Sequence, residues 1–221
     1  SLASGTLDAV NVVFAGNAAS GDGGAVHALD GSVTLRQATF DADQAGGTGG
    51  GIHLGAGASL AIENSIFALE SAGATPSAGG ALQETSSAGL VRLNYVDWFR
   101  NTPGHWFLES VGVVDPLIAE GCIEADPLFL GAAGAGAAAP WDHHLDTGSP
   151  AIDAGDPDVT DADGSRSDLG AFGGPGSGGW DLDGDGAYAW THAGAYDATI
   201  DGPAGLDPDD FDATVLPEDD A

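Results

Sequence analysis

Seven aspartates near the C-terminus have the type and spacing to hold a cation. Asp181, Asp183 and Asp185 alternate in the string DLDGDG, and Asp207, Asp209, Asp210 and Asp212 crowd the string LDPDDFDATVLP. Alternating Asp followed by Gly is the first half of a calcium loop: the backbone curls, and carboxylates converge on one ion. Counting from Asp181, position 12 of such a loop is His192 rather than Glu, and flanking helices are not evident. The reading is therefore not a standard EF-hand; the remaining oxygen ligands come from the second acidic string. An all-oxygen, carboxylate-rich set without Cys selects Ca²⁺ over Zn²⁺. A second group, Asp156, Asp158, Asp161, Asp163 and Asp168, offers another Ca²⁺ site, and turn chemistry accounts for it equally well. The competing reading of the whole tail is a solvated acidic segment.

Catalytic chemistry is harder to assemble. Polysaccharide lyases combine Ca²⁺ with a Lys or Arg base, and hydrolases use paired carboxylates. The four basic residues are Arg36, Arg92, Arg100 and Arg166, and there is no Lys. Arg36 and Arg92 fall out of phase in the repeat described below. Asp41 and Asp43 read as a surface turn after Phe40, with no second acidic pair in line. His27 and His53 fall on equivalent positions, followed by Gln83, which reads as a surface ladder before it reads as a two-His metal site. No catalytic residue is assigned.

The chain has 221 residues, 34 acidic and 4 basic, for a formal net charge of −30. Such a charge repels nucleic-acid phosphate and anionic membrane surfaces. No apolar run approaches the roughly 20 residues of a membrane-spanning helix. Residues 1–114 hold 10 of the acids and residues 115–221 hold 24, so the charge clusters as cation sites would require. The absence of Lys suits a saline or extracellular setting. The lack of an initiator Met or a basic leader reads as a processed protein or a fragment.

The elements that must position these residues repeat. At an offset of 26, Leu7, Asn11, Phe14, Gly23, Val26 and His27 meet Val33, Gln37, Phe40, Gly49, Ile52 and His53. Leu60, Ile62, Asn64 and Phe67 continue at 27, and Gly79–Leu82 follow Gly49–Ile52 at 30, with an insertion around residues 74–77. A degraded fourth copy occupies residues 90–99. Alternation such as Val33-Thr34-Leu35-Arg36 means strand, and the Gly-rich connections leave no room for crossover helices. Stacking such copies in one direction predicts a parallel β-helix with equivalent residues about 4.8 Å apart. Phe14, Phe40 and Phe67 then form an aromatic column continued by Trp98 or Phe99. Asn11, Gln37, Asn64 and Asn94 form an amide ladder at a strand corner.

Residues 126–174 carry DPLFLG, DHHLDTGSPAIDAGD and DLGAFGG. Together they resemble the end of the choice-of-anchor Q domain of secreted bacterial β-helix proteins. The preceding FxGNxA…GGA pattern at residues 14–25 resembles polymorphic outer-membrane-protein repeats. The resemblance covers roughly residues 1–175 and implies a right-handed parallel β-helix, secreted or surface-attached, without an established catalytic activity. The tail string around Asp207–Pro217 resembles the DCDDxDPxxxP half of a secreted bacterial metal-binding motif family, in which a DxDGDG string precedes the acidic half. Pro208 stands where that family has Cys, which excludes a cysteine-bridged version.

The expected organisation is therefore an all-β, right-handed solenoid in residues 1–114. Residues 115–175 supply the last coils and an irregular cap, and residues 176–221 supply a linker and an acidic calcium-loop tail. The expected function is a non-catalytic extracellular or cell-surface structural or adhesion protein. It is stabilised by Ca²⁺ and self-associates, with a filament as one form and a surface polysaccharide as a further partner. The alternatives are a β-helix lyase or hydrolase, or a carbohydrate-binding module using Trp98, Trp106 or Trp141.

Overall fold

The structure is a computed structural model and describes residues 1–73, 79–85, 91–108, 120–131, 142–162 and 164–177. The described residues contain no helix. They form a parallel β-solenoid of about three turns. The long strands are β1 (Thr6–Ala15), β3 (Val26–Asp41), β5 (Ile52–Ala68) and β8 (Val91–Phe99). Short strands β2 (Ala18–Ala19), β4 (Gln44–Ala45) and β6 (Ser71–Ala72) line a second wall. Strands β7 (Leu82–Glu84) and β9 (Trp106–Leu108) extend the first. The main sheet runs β1-β3-β5-β7-β9, with β8 also on β5, and the smaller sheet runs β2-β4-β6.

The register follows the repeat. Leu7 pairs with Val33 and Phe14 with Phe40. Val26 pairs with Ile52 and His27 with His53, and a bulge between Ala28 and Asp30 then adds the residue that moves the offset from 26 to 27. Ile52 pairs with Leu82 at the offset of 30, and His53 pairs with Gln83.

The interior is a set of columns. Val33, Leu35, Phe40, Ile52, Leu54, Leu60, Ile62, Phe67, Leu82 and Trp98 are buried in one apolar cluster. Ring centroids are 4.6 Å apart for Phe14–Phe40, 4.3 Å for Phe40–Phe67 and 4.9 Å for Phe67–Trp98, all stacked. The fourth member of the column is thus Trp98 rather than Phe99. Backbone pairing forces like residues to strand spacing, and flat rings accept that spacing face to face.

The corner column differs from expectation in one residue and in direction. Asn11, Gln37, Asn64 and Tyr95 all have φ between 50° and 52°. Asn94 pairs instead with Glu63. Asn and Gln tolerate this left-handed corner, Asn especially. Within the column Asn64 Nδ2 donates to Gln37 Oε1 at 3.2 Å, and the amides otherwise turn away from the apolar core. They face residues 142–177, a strap that runs along the flank of the coils. Asn11 Nδ2 donates to the carbonyls of Ala171 (2.7 Å) and Gly173 (2.9 Å). The Asp156 amide donates to Asn64 Oδ1 at 2.7 Å, and the Gly170 amide to Asn64 O at 2.9 Å. With its amide oriented to satisfy both ends, Gln37 accepts from Gly174 N (3.2 Å) and donates to Asn64 O (2.8 Å). Gly174 has φ +78°, a left-handed conformation that favours glycine, and a Cβ there would press on the end of the Gln37 amide. A second apolar layer seals the flank: Ile66, Ala68 and Tyr95 from the coils meet Ala151 and Leu169 from the strap.

Residues 120–125 start the next coil against β8. Ile123 bridges Asp97, and Tyr95 N donates to Glu120 O at 2.7 Å. The described residues of 142–177 make their coil contacts along the side of the stack, from the coil of Tyr95 back to that of Asn11.

Candidate functional site: the buried carboxylates and the strap

The second polar column lies inside the coils, three residues after each stacked aromatic. Asn17 N donates to Asp43 Oδ1 (2.6 Å), Asp43 N to Glu70 Oε1 (3.1 Å), and Glu70 N to Asn101 Oδ1 (2.9 Å). Each side-chain oxygen thus satisfies a backbone amide of the preceding coil where the chain turns from the main sheet into the short one. Asn101 Nδ2 closes the ladder on Phe67 O at 3.0 Å. Asp43 and Glu70 are fully buried. Asp43 Oδ2 and Glu70 Oε2 have no hydrogen-bond partner among the described residues. Burial pushes the Asp43 carboxyl up to about 6, against the Asn17 hydrogen bonds that lower it. Burial, and then the neighbouring Asp43, hold Glu70 well above the usual carboxylate range.

Asp41 completes the group. It is fully buried on the outer face of β3, under the strap, where His143 Nε2 approaches its Oδ2 at 3.1 Å. The surface turn expected for Asp41 and Asp43 is therefore an interior. Short side chains beside a corner can turn inward to bond amides, and the strap covers what a lone solenoid would leave wet. Next along the strap, His144 Nδ1 pairs with Asp142 Oδ1 at 2.6 Å, and its ring lies 3.8 Å from that of Phe172.

Asp97, in register with Ile66, is a further buried carboxyl. Its Oδ1 accepts from Ala125 N at 3.0 Å, and burial pushes it up to about 7.

The residues expected to bind cations divide in two. Asp181, Asp183, Asp185, Asp207, Asp209, Asp210 and Asp212 lie outside the described residues, as does Asp163. Of the second group, Asp161 Oδ2 accepts from Asp168 N at 2.9 Å and its Oδ1 from Gly174 N. Asp168 Oδ1 accepts from Asp153 N at 2.7 Å, and Asp156 Oδ1 from Asp158 N at 2.8 Å. These carboxylate oxygens hold the strap's own backbone. Among the described residues no group of three or more His, Cys, Asp or Glu side chains is arranged to hold a metal ion.

The motif residues have the same structural role. Ser149 Oγ donates to Pro127 O at 2.7 Å, the Ala151 amide donates to Ser149 Oγ at 3.1 Å, and Ala151 is fully buried. In the histidine column, His27 and His53 meet edge to face at 4.9 Å. Thr48 Oγ1 lies 2.8 Å from His53 Nδ1 and 3.0 Å from Asp22 Oδ1. Burial raises the Asp22 carboxyl, but the Thr48 hydrogen bonds and the two imidazoles outweigh it, and the net shift is downward. Of the tryptophans expected to face a sugar, Trp98 and Trp106 are buried in the core; Trp141 lies outside the described residues.

No family model, curated protein or solved structure matches this chain.

Proposed function

We propose that this chain is a non-catalytic structural or adhesion element of the extracellular space or cell surface, which associates with further copies through the edge of its first coil. The observation that carries the reading is the chemistry of that edge. Among the described residues β1 pairs on one side alone, with β3. Residues 9–21 contain no charged side chain in a chain of net charge −30. Val10 is 49% exposed, and Phe14 stacks against Phe40 at the end of the aromatic column. Solenoids and sheets usually protect an edge with charge, Pro or a bulge; β1 has no Pro, continuous register on either side of its corner, and one charge, Asp8, which is paired with Arg36 at 2.9 Å. An uncharged edge is also where two strongly acidic molecules can approach.

On this reading the coils wind right-handedly, as parallel crossover connections do. The acidic tail binds Ca²⁺ through Asp181, Asp183, Asp185, Asp207, Asp209, Asp210 and Asp212, whose all-carboxylate chemistry suits that ion. Secretion and the likeness to choice-of-anchor Q domains belong to the same proposal.

Sedimentation velocity tests the association. The native chain is expected to form larger species as concentration rises. Val10→Glu, which places a charge on an exposed position beside Arg36, is expected to stay folded and monomeric. A native chain that sediments as a monomer at every concentration overturns the reading. For the tail, millimolar Ca²⁺ is expected to raise the melting temperature where NaCl of equal ionic strength does not. Equal effects of the two salts would reduce the tail to charge screening.

A further inference from the structure

We propose that Asp41, Asp43, Glu70 and His143 form a proton-operated latch that fastens the strap to the coil flank. Three of the four groups belong to the coils and one to the strap, and all are buried. His143 Nε2 of the strap lies 3.1 Å from Asp41 Oδ2 of the coils. The remaining carboxyls, Asp43 and Glu70, are linked to each other by the bond from Asp43 N to Glu70 Oε1. Each leaves its second oxygen dry and without a hydrogen-bond partner among the described residues. A dry carboxyl with an unbonded oxygen is tolerated neutral and costs several kcal/mol ionised.

The fastened state is thus one with Asp43 and Glu70 protonated against an Asp41–His143 pair. Ionising Asp43 places a negative charge in the dry interior beside Asp41. Lifting the strap admits water to Asp41 and so screens its repulsion of the Asp43 charge. The His143 imidazole also acts on Asp142 and Asp43. Asp142 is turned to His144 at 2.6 Å, and the Phe129 ring meets the His143 ring edge to face at 5.1 Å. The flank uncovered by release carries Thr39, Ile66, Ala68 and Tyr95, so the latch controls access to an apolar strip.

The sign follows from burial. The folded-state carboxyl of Asp43 is raised, to about 6. Its contribution to fastening is whole below the ordinary Asp value near 4 and is lost as pH rises through about 6. Hydrogen exchange, corrected for the intrinsic rate, tests this by comparing peptides within residues 142–177 with peptides within residues 52–68. Between pH 5 and pH 7.5 the strap is expected to open about tenfold more often relative to the core. In Asp43→Asn, whose amide oxygen can still accept from Asn17 N, the ratio is expected to stay flat. Glu70→Gln serves the same test should Asp43→Asn fail to fold. A native ratio that is equal at both pH values, or variants that follow the native pH dependence, overturns the proposal.

Discussion

Melted at pH 5 and again at pH 8 in the same salt, the protein is expected to be more stable at pH 5, by on the order of 4 kcal/mol. Most proteins of ordinary charge distribution lose stability as carboxylates protonate. Here the decisive carboxyls are buried and raised: Asp43 to about 6, Asp97 to about 7, and Glu70 well above its usual range. A raised acid contributes its full stability below its unfolded value near 4 and loses it as pH climbs through the folded value. Asp22 and Asp142 are shifted downward, so their contributions fade only in stronger acid, below the pH window of the experiment. For a domain of this size the difference corresponds to a melting temperature about 10 °C higher at pH 5. Relief of general acidic repulsion acts in the same direction, and Asp97→Asn separates the two. Its amide oxygen can still accept from Ala125 N, and the variant is expected to be more stable than the native chain at pH 8 and less sensitive to pH. A melting temperature that rises from pH 5 to pH 8 would contradict the buried-carboxyl account.

The second large effect is expected from Phe67→Ala. Phe67 is fully buried, with Phe40 stacked at 4.3 Å on one face and Trp98 at 4.9 Å on the other. The neighbouring rings are held by backbone pairing at strand spacing, so the gap cannot close by collapse. The loss of transfer energy and the cavity together are expected to cost about 4 kcal/mol. Phe14→Ala, at the end of the same column, is expected to cost about half as much in dilute solution, because Phe14 is stacked on one face and only half-buried. Urea unfolding measures both. A cost below about 1 kcal/mol for Phe67→Ala would mean that the stack does not carry the core.

The features legible in the sequence were those that recur once per coil. The offsets of 26, 27 and 30 were readable because inward residues alternate with outward ones, and the aromatic column marks phase in every coil. Tyr95 was missed at the corner because residue type was followed, which led to Asn94. Counting three residues back from each stacked aromatic gives Asn11, Gln37, Asn64 and Tyr95. The same count forward gives Asn17, Asp43, Glu70 and Asn101, the interior ladder, whose mixed chemistry hid it. Asp41 and Asp43 read as a surface turn, and Glu70 drew no reading, because hydropathy has no means of knowing that a corner amide needs an acceptor. The strap was illegible for a different reason. Its bonds join residues 92 to 162 positions apart, and no period links Asp156 to Asn64 or Gly173 to Asn11. The Asp-rich run at 156–168 looked like a cation loop because the residues that make Asx turns and amide caps are also those that bind calcium.

The central claim is that the edge of β1 beyond its one charged residue, Asp8, is an interface, and hydrogen exchange of peptides within residues 6–21 tests it most directly. The account expects the β1 amides to gain protection as concentration rises from dilute to concentrated solution, while peptides within residues 52–68 do not change. Equal exchange of the β1 amides at both concentrations, in samples that sedimentation shows to be associated, would place the interface elsewhere and contradict the claim.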